Sequence, residues 1–138
     1  MSRDRHNVRP LRPLRVLLVS DDTRYADELV STAQRLGTSA TAVPSAADID
    51  AAAVEYVPNV VVFDAETSVA RSARRATAFA VLHPEISVGL VAKQGVERRT
   101  GNLSFFRKRG SVERLLGELE RVHLGLPAPL ERGESSVS

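Results

Sequence analysis

At 138 residues the chain is long enough for one domain with a real core, and its 43% apolar and 26% charged residues are ordinary for a globular protein. The absence of cysteine excludes a disulfide scaffold and a thiolate metal site and fits a reducing compartment, while 4% aromatics leave the core to Val, Leu and Ala. Residues 1–13, where Arg3, Arg5, Arg9 and Arg12 are offset only by Asp4, carry a net +3 against the chain's formal +2, so the near-neutral remainder argues against direct nucleic-acid binding. No apolar run approaches the roughly 20 residues needed to span a bilayer, and the basic start lacks the apolar core of a secretory signal; a cytoplasmic protein without a membrane partner is expected.

In chain order, residues 1–13, with Pro10 and Pro13, read as a flexible basic arm, and residues 14–126 as the folded domain. Leu14 to Val19 is a buried strand ending at Ser20-Asp21-Asp22. From Thr23 the period becomes helical, with Ala26, Leu29, Ala33 and Leu36 on one face and Gly37 placed to end the helix. Thr38 to Val43 alternates weakly and reads as an edge-like strand. Ser45-x-x-Asp48 has the pattern of a capping box, opening a helix with Ile49, Ala53 and Tyr56 inward.

Pro58 stops that helix. The run Val60-Val61-Val62-Phe63 that follows is a short strand of the fully buried kind found at the centre of a parallel sheet, and it ends on Asp64. Residues 67–82 read as an Ala-rich helix with Val69, Ala73, Ala76 and Ala80 inward and Arg71, Arg74 and Arg75 in solvent. Pro84 ends it, and Ile86 to Val91 is a fourth strand. Lys93 to Asn102 has no clean apolar period, and Lys93 to Thr100 reads as at most one helical turn. Leu103 to Phe106 is a fifth strand, followed by Arg107-Lys108-Arg109-Gly110. Ser111 caps a last helix with Val112, Leu115, Leu119 and Val122 inward, and residues 127–138 read as a disordered tail. Strand and helix alternating in this way imply an α/β fold, a three-layer α/β/α sandwich around a parallel sheet.

In such a sheet, right-handed connections bring the carboxyl ends of strands 1, 3 and 5 to one edge, which collects Asp21, Asp22, Asp64 and Lys108. Three carboxylates in one site repel unless a cation is present. An all-oxygen set suits Mg²⁺, which binds through one or two carboxylates plus waters and phosphate oxygens. A lysine beside them keeps a carboxylate ionised and offsets an incoming phosphoryl group, and an ionised, positioned aspartate can act as the nucleophile of phosphoryl transfer.

These residues resemble the receiver domain of bacterial two-component response regulators, over roughly residues 14–124. Leu-Val-Ser-Asp21-Asp22 matches the acidic pair after strand 1, Val-Val-Val-Phe-Asp64 the phosphoacceptor ending strand 3, and Gly101-Asn-Leu-Ser-Phe105-Phe-Arg-Lys108 the strand-5 lysine with the glycine seven residues before it. The resemblance implies a flavodoxin-like five-stranded parallel sheet of order 2-1-3-4-5. It implies Mg²⁺ held by Asp22, Asp64 and the Glu66 backbone carbonyl, with Asp21 acting through water. Lys108 would contact the phosphoryl group, and Phe105 would stand at the aromatic switch position.

The chain departs from that pattern at Ala92, where the family has Thr or Ser ending strand 4, and at Arg109, where a proline usually follows the lysine. The loop Ala65-Glu66-Thr67-Ser68 lacks the family's Met-Pro-Gly. The eight residues between Ala92 and Gly101 are too few for a full fourth helix, which is expected to be shortened or missing.

The expectation is a stand-alone receiver in a phosphorelay, not an enzyme, that takes a phosphoryl group on Asp64 from a sensor histidine kinase or phosphotransfer protein. It would signal by binding a downstream protein. The alternative is a pseudo-receiver that binds a partner without phosphorylation. A third reading, an aspartate-nucleophile phosphatase, rests on the similarity of Phe63-Asp64-Ala65-Glu66-Thr67 to the haloacid-dehalogenase-type motif Asp-x-Asp-x-Thr, with Glu66 in place of the second Asp.

Overall fold

The computed structural model describes residues 13–65, 69–94, 97–108 and 111–125. The expected arm and tail therefore lie, apart from Pro13, outside the described residues, as do Glu66 and Arg109. The elements run β1 (Arg15–Val19), α1 (Thr23–Arg35), β2 (Ser39–Val43), α2 (Ile49–Tyr56), β3 (Val60–Asp64), α3 (Val69–Leu82), β4 (Ser87–Ala92), β5 (Arg98–Thr100), β6 (Leu103–Arg107) and α4 (Val112–His123).

The sheet has the order β2-β1-β3-β4-β6-β5, with every pair parallel except β5–β6. All five residues of β3 are buried, because the strand lies at the centre of the sheet with helices over both faces. Alternation along the strands divides the core in two. Leu17, Val19, Val61 and Phe63 meet α2 and α3 on one face, while Val16, Leu18, Val60 and Val62 meet α1 and α4 on the other. Gly89 permits a close approach on the second side: a Cβ there would lie 3.2 Å from the Phe106 ring.

The parallel part of the sheet has the order expected from the sequence, and Gly37 follows the end of α1 as read. The main correction concerns Lys93 to Thr100, expected to hold at most one helical turn. It contains β5, a sixth strand paired antiparallel to β6 through the two-residue turn Gly101-Asn102. Gly101 has φ +61°, the left-handed conformation that such a tight hairpin turn demands. Asn102 then ties the turn to the end of α3, its amide lying 2.8–3.1 Å from the carbonyls of Ala80, His83 and Ile86.

Smaller corrections have local causes. The cap of α2 is Asp48, which accepts the Ala51 N–H; Ser45 is drawn instead to Asp21. Val69 and Leu36 stand largely in solvent, and the inward face of α3 includes Phe79. Leu116 joins Val112, Leu115 and Leu119 under α4.

Candidate functional site

The register of β1 against β3, Val19 opposite Phe63, sets Ser20 beside Asp64 at the carboxyl edge of the sheet. Ser20 Oγ donates to Asp64 Oδ2 at 2.7 Å and accepts the Asp22 N–H at 3.0 Å. Asp22 Oδ1 accepts the Tyr25 N–H at 3.1 Å, so this carboxylate caps α1 and satisfies one of its orphan donors.

Lys108 arrives from the end of β6. Its backbone N–H donates to the Ala92 carbonyl at 2.6 Å, which fixes where the side chain starts. From there Nζ reaches both Asp64 oxygens at 3.0 Å and lies 4.1 Å from the centre of the Tyr25 ring. The Asp64 side chain is 0% exposed and that of Lys108 17%. The ring thus covers the outer side of an ion pair whose carboxylate is closed to water. The Tyr25 phenol is pushed well above its ordinary range, first by burial and then by the negative charges of Asp64, Glu28 and Asp22.

Asp21 points elsewhere. It accepts the Ser45 N–H at 2.8 Å and the Ser45 hydroxyl at 2.6 Å. Those two bonds, the hydroxyl's first, hold its carboxyl below the usual value of 3.8 against an opposing effect of desolvation, with a lesser contribution from the Arg75 charge. A cavity of about 440 Å³ separates this corner from Asp64, lined by Asp21, Ser45, Asp64, Arg71, Ser72 and Arg75. Arg75, expected in solvent, is half-buried, with its guanidinium 5.7 Å from the centre of the Phe63 ring. Arg71 and Arg74 are exposed as expected.

The structure therefore joins Asp64, Lys108 and, through Ser20, the Asp22 backbone, but it draws Asp21 aside. Among the described residues no three acidic or histidine side chains gather around one point. Mg²⁺ requires less: one or two carboxylates completed by water and phosphate oxygens suffice. Asp22, with an oxygen outside its capping bond, and Asp64 supply that chemistry, so the donors suit the ion although the three-acid cluster is not assembled. The Glu66 carbonyl expected as a ligand falls outside the described residues.

Ala92 is buried at the end of β4, where it offers a carbonyl to Lys108 and has no hydroxyl. Phe105 is half-buried, and the Arg98 guanidinium of β5 lies 5.0 Å from the centre of its ring. The site also includes Ser20, Tyr25, Ser45 and Arg75, to which the sequence assigned no role. Only the position of Ser20 before the acid pair and of Tyr25 in the first turn of α1 was a sign. Their partners lie across strands and loops.

No protein-family model and no curated protein matches the chain. Solved structures do. The chain is similar to a CheY-like response regulator receiver domain protein from Methanospirillum hungatei, at a TM-score of 0.63 and 16% identity over 83% of this chain and 96% of that one. It is similar to HP1043, an orphan response regulator of H. pylori, at 0.59 and 13% identity over 80% and 96%. It is also similar to a response regulator receiver domain protein from Bacillus halodurans, at 0.56 and 18% identity over 85% and 100%. The chain has the receiver-domain fold, with β5 as an addition.

Proposed function

We propose that this chain is a receiver-like signalling module in which Asp64 accepts a phosphoryl group and the output is binding to another protein. The observation that carries the reading is the contact of Lys108 Nζ with both oxygens of a carboxylate at the carboxyl end of the central strand. In such a fold that is the crevice where ligands bind, and the lysine, bonded to both oxygens, holds the carboxylate turned.

The phosphoryl donor is a sensor histidine kinase, a phosphotransfer protein or a small acyl phosphate. An Asp64 oxygen forms a bond to phosphorus as the bond from phosphorus to the leaving group breaks, and the electron pair departs with that group. The step is stoichiometric, with no turnover by this chain. Asp22 and Asp64 would hold Mg²⁺, which supplies positive charge for the phosphoryl oxygens. The Asp64 carboxylate has no exposed surface, so Lys108, on its flexible four-carbon stem, has to swing aside to admit the donor.

A second reading, a module that binds its partner without phosphorylation, is favoured by that same closure and by the missing hydroxyl at Ala92. Intact-mass measurement after incubation with acetyl phosphate and Mg²⁺ separates the two. The first reading expects one added phosphoryl group on the wild type and none on Asp64→Asn. An unmodified wild type decides for the second.

A further inference from the structure

We infer that Ser20 is a positioning residue for the phosphoacceptor, orienting the Asp64 carboxylate from the end of β1. This rests on the reading of Asp64 given above. Ser20 is buried, and its Oγ accepts the Asp22 N–H at 3.0 Å. With that lone pair taken, its proton is directed at Asp64 Oδ2, 2.7 Å away. The hydroxyl is a donor of fixed direction.

The consequence is an asymmetry between the two carboxylate oxygens. Among the described residues, Oδ2 receives Ser20 and Lys108, whereas Oδ1 receives Lys108 alone. Once Lys108 swings away, Ser20 still holds Oδ2, whereas Oδ1 keeps no side-chain donor among the described residues. Oδ1 is therefore the attacking oxygen. It forms the bond to phosphorus while the donor's acyl oxygen leaves with the electron pair. Oδ2 becomes the carbonyl oxygen of the acyl phosphate, still accepting from Ser20, which keeps its proton throughout. The same hydroxyl joins the loop carrying Asp21 and Asp22 to the nucleophile, so the capping of α1 and the aim of Asp64 are set together.

The test compares wild type, Asp64→Asn, Ser20→Ala, Ser20→Thr and Ser20→Val for their labelling rates with acetyl phosphate and Mg²⁺. Thr and Val have nearly the same shape and differ in the hydroxyl. Ser20→Ala and Ser20→Val should label about 10- to 100-fold more slowly, the scale on which misplacing a reacting group acts, and Ser20→Thr should stay within about threefold of wild type. Labelling of the wild type, with Val as fast as Thr or Ala as fast as or faster than wild type, overturns the role of Ser20 and leaves that of Asp64 standing. A wild type that does not label removes the phosphoacceptor reading itself. The ¹³C shift of the Asp64 carboxyl reports on the bond independently of transfer. It should move in Ser20→Ala and Ser20→Val and return in Ser20→Thr, and no movement in any variant also overturns the inference. Should Thr and Val not fold, Ser20→Ala, which only removes an atom, decides on both readouts.

Discussion

At the scale of single residues, the site depends on partners held at a distance along the chain. Asp64 and Lys108 could be read from the sequence because a carboxylate ending an apolar run, and a lysine ending another, are visible in one dimension. Ser20 and Ser45 could not, since their contacts span 44 and 24 positions and follow from how neighbouring strands and loops align. Two predictions belong here. Replacing Lys108 by Met leaves a buried carboxylate without its counter-charge and should cost about 3 kcal/mol in urea unfolding, the order found for broken buried pairs; adding Asp64→Asn should restore much of it. The Asp21 carboxyl should titrate below 3.8 by NMR and move back toward that value in Ser45→Ala. Because the folded state holds this pKa down, the contribution of Asp21 to stability is complete above the unfolded value. It is lost as pH falls through the folded one.

At the scale of elements, the β5–β6 hairpin accounts for most of what was misread. All three residues of β5, Arg98, Arg99 and Thr100, are exposed, so the strand carries no alternation of apolar and polar positions to reveal it. The sign that was present is Gly101-Asn102, a two-residue hairpin turn placed between two short runs. The strands of the parallel sheet were legible because burial on one or both faces leaves apolar runs. Asn102→Ala should destabilise the protein by about 1–2 kcal/mol, since carbonyls at the end of α3 lose their donor. Amide exchange in β5 and β6 should quicken more than in β1 and β3. At the end of α2, Val57 has φ 55°, a left-handed conformation that β-branched residues resist, and its side chain is mostly exposed. Val57→Asn should therefore raise stability by about 0.5–1 kcal/mol in urea unfolding.

For the whole molecule, two core faces hold β1 and β3 in register, and that register delivers Ser20, Asp22 and Asp64 to one edge. The sheet has the receiver-domain fold, and between β4 and β6 the short strand β5 sets Arg98 over the Phe105 ring. Lys108 and Tyr25 close over the Asp64 carboxylate, so phosphoryl transfer as proposed requires an opened form. The central claim is that Asp64, and no other carboxylate, takes the phosphoryl group. Its most direct test is to reduce the acetyl-phosphate-treated protein with borohydride, which converts an aspartyl phosphate to homoserine, and to map the product by peptide mass. Conversion is expected at position 64 alone; conversion at Asp21 or Asp22, or at no residue, would overturn the assignment of Asp64 as phosphoacceptor.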